Sequence, residues 1–183
     1  MQELSLNILD ITQNSIKAGA DRVDITVVES VSKNLIKITI ADNGSGMEAE
    51  FLQKVLDPFV TTRSTRKVGL GLPLFKQQAV AAGGDLDIQS EPGNGTTVEA
   101  SFELDNIDRV PLGDIASTIT TLIGSDTGVR FVYRHITDKG EFCLDTDEVR
   151  NELGEVSISQ PEILIWLEQY IKENLDEIEG GIH

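Results

Sequence analysis

The sequence predicts an α+β fold, an antiparallel sheet with helices on one side, over about its first 104 residues, followed by a small α+β extension. Three observations lead there. Apolar residues recur at helical spacing and then in alternation, in the order helix, two strands, two helices, two strands. Glycine-rich turn sequences separate these runs. A hydrophobic share of 39% beside 25% charged residues is that of a folded chain.

Glu3 to Ala18 carries Leu4, Leu6, Ile8, Leu9, Ile11 and Ile16 mostly at helical spacing, and Gly19 is a helix stop. Val23, Ile25 and Val27 alternate with polar residues as in a strand. A second strand follows over 35–40, joined by the polar loop 30–34. Asp42-Asn43-Gly44-Ser45-Gly46 then forces a turn before a short helix over 48–56. The stretch 57–68 is polar, basic and without period. Leu72 to Ala82 is helical, with Pro73 in its first turn, where proline is tolerated. Residues 86–89 and 97–104 read as two more strands joined across the turn 91–95.

The remainder predicts a helix over 111–124 and strands over 129–135 and 141–144. A last helix follows the capping sequence Ser159-Gln160-Pro161-Glu162, with Ser159 as the cap. Its stripe (Ile163, Leu164, Leu167, Tyr170, Ile171, Leu175) and Trp166 are expected to pack on the domain rather than to serve a partner's groove. The predicted division is a domain over 1–104 and an acidic extension over 105–183, which packs on the first domain or folds apart from it. The lone Cys143 can form no internal disulfide, and on a strand it is expected to be buried.

Charge narrows the partners. The net charge of −16 divides unevenly: residues 1–104 hold 14 acids against 9 bases, residues 105–183 hold 17 against 6. Such a surface repels nucleic acid and anionic membrane, so neither is expected as a partner. No run approaches the roughly 18 apolar residues of a membrane helix, and the acidic N-terminus has no signal-peptide character, so a cytoplasmic location is expected.

Four short motifs are each ambiguous alone. Asp42-Asn43-Gly44-Ser45-Gly46-Met47 is a turn or a place where backbone closely approaches a ligand. Gly69-Leu70-Gly71-Leu72 lacks the third glycine of a dinucleotide loop and the lysine of a P-loop. It remains either a loose lead into a helix or a set of free amides able to hold phosphate. Asn14, in mid-helix, faces solvent or ligates a cation. Gly93-Asn94-Gly95-Thr96-Thr97 is a hairpin turn or a turn with a ligand-facing hydroxyl.

Their order along the chain resembles the GHKL superfamily, the ATPases and kinases that include gyrase, MutL and histidine kinases. NSIKAGADRVDI is similar to MutL and gyrase, and Pro58-Phe59 followed by GLGL is similar to the histidine kinases. The resemblance covers roughly residues 3–104. It implies the Bergerat fold, a two-layer α/β sandwich with a mixed, mainly antiparallel sheet, holding ATP and Mg²⁺ between helices and sheet. By position it implies Asn14 as the Mg²⁺ ligand, Asp42 as the reader of the adenine amino group, and Gly44, Gly46, Gly69, Leu70, Gly71, Leu72 and Thr96 as nucleotide contacts. Lys17 would reach phosphate. The basic loop 61–67, with Arg63 and Lys67, corresponds to a lid over the triphosphate.

The departures are informative. Hydrolysing relatives carry glutamate four residues before the magnesium asparagine, whereas this chain has Asp10, the candidate general base, one methylene shorter. A displacement on that scale can cost on the order of 100-fold in rate, so slow or partner-dependent turnover is expected. The two histidines, His135 on a predicted strand and the terminal His183, are expected to be structural or incidental rather than phosphoacceptors. Three functions stay open: a protein kinase acting in trans, a slow ATPase or ATP-driven switch that regulates a partner, and a non-catalytic ATP sensor. The partner or phosphoacceptor is an unidentified protein. A redox enzyme is one candidate, from resemblance of the whole chain to small ATP-binding proteins associated with hydrogenase gene sets.

Overall fold

The computed structural model describes residues 3–57, 71–125 and 127–179. The first helix, α1 (Leu4–Lys17), has no side-chain cap at Glu3. Its first amides, Leu4 and Ser5, donate instead to the carbonyls of Pro111 and Leu112 at 2.9 and 2.8 Å. Backbone from the later part of the chain thus satisfies two of the donors that every helix start leaves open.

Strands β1 (Arg22–Ser30) and β2 (Leu35–Asp42) form an antiparallel hairpin, with Val23 opposite Asp42 and Ser30 opposite Leu35. A short helix α2 (Ala49–Lys54) follows, then α3 (Gly71–Ala81), β3 (Leu86–Ser90) and β4 (Thr96–Glu103). Beyond them lie α4 (Ile115–Gly124), β5 (Arg130–Thr137), β6 (Glu141–Asp145), α5 (Thr146–Leu153) and α6 (Pro161–Glu179). The six strands make one sheet in the order β3-β4-β2-β1-β5-β6. Among the described residues, only β1 and β5 run parallel; every other pairing is antiparallel. The sheet is therefore mixed and mainly antiparallel, as the Bergerat expectation had it. The parallel pair is where β5 arrives after the helical connection through α4.

Alternation divides the sheet into two faces. Val23, Ile25, Val27, Ile36, Ile38, Ile40, Phe131 and Tyr133 point to the buried side, where α1, α3, α4 and α6 supply Ile8, Ile11, Phe75, Ile119, Leu167 and Ile171. The other face carries Arg22, Asp24, Lys37, Glu99, Arg134 and Glu141, joined in ion pairs across or along strands. A sheet covered on one face by helices is the two-layer arrangement.

The later chain departs from expectation in five places. α4 starts at Ile115, not Pro111, because Asp114 caps it by accepting from the Ser117 amide at 3.0 Å. α5 was not predicted; its signal is Asp145, which accepts from the Asp147 amide ahead of two acidic first-turn residues. α6 starts one residue later than the capping sequence suggests. The Gln160 carbonyl accepts the first helical bond, from Leu164, and the Ser159 hydroxyl turns to Ser157. Proline at the first helical position needs no amide partner, which suits this start. Cys143 is exposed rather than buried, since Phe142 and Leu144 take the two inward positions of β6. Along α6, Leu167, Ile171 and Leu175 are buried, while Trp166 is 56% exposed and stacks on Tyr170 at 5.1 Å.

Candidate functional site

A cavity of about 780 Å³ opens between α1, the start of α3 and the β2 and β4 strands. That is within the size range of small-molecule sites. Ile11, Ile40, Met47, Phe51, Leu72 and Val98 give it apolar walls, and Asn14, Lys17, Asp42 and Thr96 bring polar groups to them. The combination suits a flat ring against the walls with polar atoms read at the edge.

Asp42 ends β2, half-buried, and is held on both oxygens. Oδ2 accepts from the Ser15 hydroxyl of α1 at 2.6 Å, and Oδ1 accepts from the Gly44 amide at 2.9 Å. Each carboxylate oxygen keeps a further lone pair, so a ligand donor can still be received. Gly44 itself sits between Asp42 and α1. A β-carbon there would stand 3.0 Å from the Ala18 carbonyl and from Asp42 Oδ1, so only glycine leaves the carboxylate in place.

The rim is made of backbone. The Ser45 amide donates to the Ala18 carbonyl at 2.9 Å, and the Gly93 amide donates to the Ser45 carbonyl at 2.7 Å. These bonds tie the turn after β2 to the end of α1 and to the β3–β4 turn. Gly46 has φ +69°, and a β-carbon on it would run into the Glu91 carbonyl. At the β3 end, the Ser90 hydroxyl accepts from the Met47 amide and donates to the Gly95 carbonyl, both at 2.9 Å. With its proton so used, the 2.8 Å contact to Thr96 has the threonine hydroxyl donating. Thr96 therefore presents lone pairs, and no proton, toward the cavity.

Asn14, Lys17, Asp42, Gly46, Leu72 and Thr96 thus line one space. Asp10 and Gly71 meet instead with each other: the Asp10 carboxylate lies where a β-carbon of Gly71 would go, at the first residue of α3. Asp10 is absent from the lining of the cavity among the described residues. Arg63, Lys67, Gly69, Leu70 and the Pro58-Phe59 pair lie outside the described residues. Two positions escaped sequence reasoning, Ser15 and Ser90. Both are common small polar residues whose only signal is adjacency, one following Asn14 and the other ending the strand before the turn 91–95.

His135 is fully buried on β5, held between the Tyr133 hydroxyl and Glu29 at 2.6 and 2.7 Å. Both ring nitrogens are thus engaged within the protein. His183 lies outside the described residues.

Comparison with known proteins adds three findings. A family model described as histidine kinase-, DNA gyrase B- and HSP90-like ATPase matches residues 2–106. Among curated proteins, the chain is similar to a putative sensor protein of Shewanella frigidimarina, 32% identical over 105 residues, covering 56% of this chain and 16% of that one. It is also similar to an uncharacterized sensor-like histidine kinase of Rhizobium meliloti (34% over 109 residues, 57% and 20%). The sensor protein SrrB of Staphylococcus aureus is 35% identical over 102 residues (53% and 17%). The chain thus spans a fifth or less of the length of these relatives. Among solved structures, the N-terminal domain of a DNA repair protein superposes with TM-score 0.55 at 16% identity, over 79% of this chain and 53% of that one. The Aquifex aeolicus MutL ATPase domain complexed with ADP does so with TM-score 0.50 at 17% identity (82% and 68%). These likenesses concern the fold, and they reach well past residue 106, where the family model stops.

Proposed function

The chain belongs to the family of histidine kinase-, DNA gyrase B- and HSP90-like ATPases, and from that premise we propose that its cavity binds Mg-ATP and that the γ-phosphate passes to another protein. The observation that carries this reading is the convergence of Asn14, Asp42, Gly46, Leu72 and Thr96 on one cavity with apolar walls. In this reading Asp42 accepts from the adenine amino group, Thr96 offers its lone pairs to the water around the base, and Lys17 reaches the phosphates. The Asn14 side-chain oxygen would hold Mg²⁺, which supplies charge neutralisation at the phosphates. The resemblance to the family assigns the phosphate end to Arg63, Lys67 and the amides of Gly69, Leu70 and Gly71, of which only Gly71 is among the described residues.

His135 is enclosed, and the acceptor in this reading is a serine or histidine of a protein partner. The γ-phosphorus bonds to the acceptor oxygen or nitrogen as its bond to the bridging oxygen of ADP breaks; Asp10 takes the acceptor's proton. A second reading is favoured by one observation. The Asp10 carboxylate rests against Gly71 rather than lining the cavity. A base so placed suits a slow ATPase or a switch, in which binding and release of ATP dock or free a partner.

Incubation with Mg²⁺ and γ-labelled ATP, alone and with host lysate, separates the readings. Label on a discrete protein supports the kinase; label that stays on bound ATP supports the switch. If ATP does not bind at all, both readings fall. Under either, Asp10→Glu is expected to raise the rate of phosphate release by about tenfold or more, because the added methylene moves the carboxylate by about an ångström. An unchanged or lower rate counts against Asp10 as a base held too far back by its shorter side chain.

A further inference from the structure

At the other end of β1 from the cavity, three chain segments bring metal-binding side chains together. Glu29 is the last residue but one of β1, His135 lies on the neighbouring strand β5, and Glu179 closes α6. His135 Nε2 stands 2.7 Å from Glu29 Oε2 and 3.7 Å from Glu179 Oε1, and the three donor atoms all lie within 4.8 Å of one another. The imidazole is fully buried, and the two carboxylate side chains are 20% and 14% exposed. This is not a solvated acidic patch. Two carboxylates flank one imidazole in a place where burial makes each uncompensated charge costly.

We propose that Glu29, His135 and Glu179 bind one divalent transition-metal ion, with zinc as the ion that their chemistry favours. One imidazole nitrogen and two carboxylate oxygens are donors that zinc accepts at about 2.0–2.2 Å, and a buried imidazole weighs against magnesium or calcium. Ligands around a tetrahedral ion at such distances stand about 3.4 Å apart. Glu29 has to withdraw from His135 by a fraction of an ångström, and Glu179 already stands near that spacing.

Two further observations point the same way. His135 Nδ1 lies 2.6 Å from the Tyr133 hydroxyl. With Nε2 on the ion, Nδ1 keeps its proton and donates to the phenol oxygen, the outer-shell bond that fixes a metal-bound histidine. Beside the cluster is a cavity of about 220 Å³, lined by Glu29, Thr137, Asp138, Lys139 and Glu179 among others. It gives an ion access and leaves room for a water to complete the coordination. The ion would join β1 to β5 and to the end of α6, fixing the C-terminal helix to the sheet.

The test uses the full chain, stripped with a chelator and free of nucleotide, titrated with zinc by calorimetry. One equivalent is expected to bind, with the thermal midpoint rising by about 5 °C or more at a hundredfold excess over the dissociation constant. Cobalt in place of zinc is expected to give visible bands of a low-symmetry nitrogen–oxygen site. Glu179→Gln, at a helix end where folding is little at risk, is expected to weaken zinc at least tenfold, and His135→Gln to abolish binding. Circular dichroism checks that each variant is folded. No stoichiometric zinc binding overturns the proposal. So does an affinity unchanged in Glu179→Gln, which would put the ion elsewhere on the chain. ATP titration of the same variants reads the first site separately, so failure of one proposal leaves the other standing.

Discussion

At the Val23 end of β1, the rim of the cavity is built of backbone: Gly44, Gly46 and Gly95 allow close approaches that a side chain would block, and Asp42 keeps lone pairs to spare. At the Glu29 end, about 20 Å away along the strand, the groups are side chains that satisfy one another, Glu29 to His135 to Tyr133. The first arrangement holds a space open for a ligand. The second is complete in itself and admits an ion only in exchange for a hydrogen bond. Substitutions at the two ends should therefore fail in different ways: added bulk is damaging at the first, loss of a donor atom at the second.

The largest contrast is expected from glycines. Gly46→Ala places a β-carbon against the Glu91 carbonyl at φ +69°, where backbone has to move. The left-handed conformation costs about 1–2 kcal/mol and the overpacking about 1–3 kcal/mol, so a loss of about 3 kcal/mol of stability is expected, together with nucleotide binding. At the Glu29 end, the β-carbon of Gly140→Ala meets the Ile178 side chain, Cγ2 at 3.2 Å and Cβ at 3.9 Å, and the nearer atom is a methyl that can yield. Urea denaturation of both should show a loss below about 1 kcal/mol for Gly140→Ala. Equal losses would mean that the cavity rim is no more backbone-built than the rest of the molecule.

A smaller effect is expected at Asp42. Asp42→Asn keeps the shape and leaves one oxygen for Ser15 or Gly44, but removes a charged acceptor. Hydrogen bonds to charged groups contribute about 1.5–3 kcal/mol, so ATP affinity should fall about 10- to 100-fold in a competition titration. Zinc affinity at the far end should not change. A variant that binds ATP as the parent does would take Asp42 out of base recognition.

The two ends also differ in how well the sequence announces them. The first is written in contiguous motifs, because backbone that approaches a ligand needs glycine at fixed places within a turn: DNGSG and GNGT are legible for that reason. The strands that carry them were legible too, since Val23, Ile25 and Val27 alternate without interruption. The second end takes Glu29, Tyr133, His135 and Glu179 from separate stretches that only the parallel pairing of β1 with β5 brings together. Nothing local marks a strand as the parallel neighbour of another a hundred residues earlier. The same reason hid Ser15, whose importance arises from a partner 27 residues away, while α5 was missed because its cap, Asp145, also reads as the end of a strand.

The smallest effect is expected from acid, again at the Glu29 end. Asp138, in the turn between β5 and β6, accepts from the Ser32 amide at 3.0 Å and from the Ser30 hydroxyl at 2.7 Å, joining that turn to the loop after β1. The Ser32 amide, with Ser30 behind it, holds the Asp138 pKa below its usual value. A depressed carboxylate pKa adds stability that is fully present above the unfolded value, near pH 4, and is lost as pH falls through the folded value. The difference in thermal midpoint between the parent and Asp138→Asn should therefore be small, constant from pH 7 to about pH 5, and gone in stronger acid. The measurement is made without added metal, so that zinc at the Glu29 end does not enter. A difference that instead grows as pH falls would mean that Asp138 is stabilised in its protonated form, and that this end of the sheet is held by something other than the hydrogen bonds to Ser30 and Ser32.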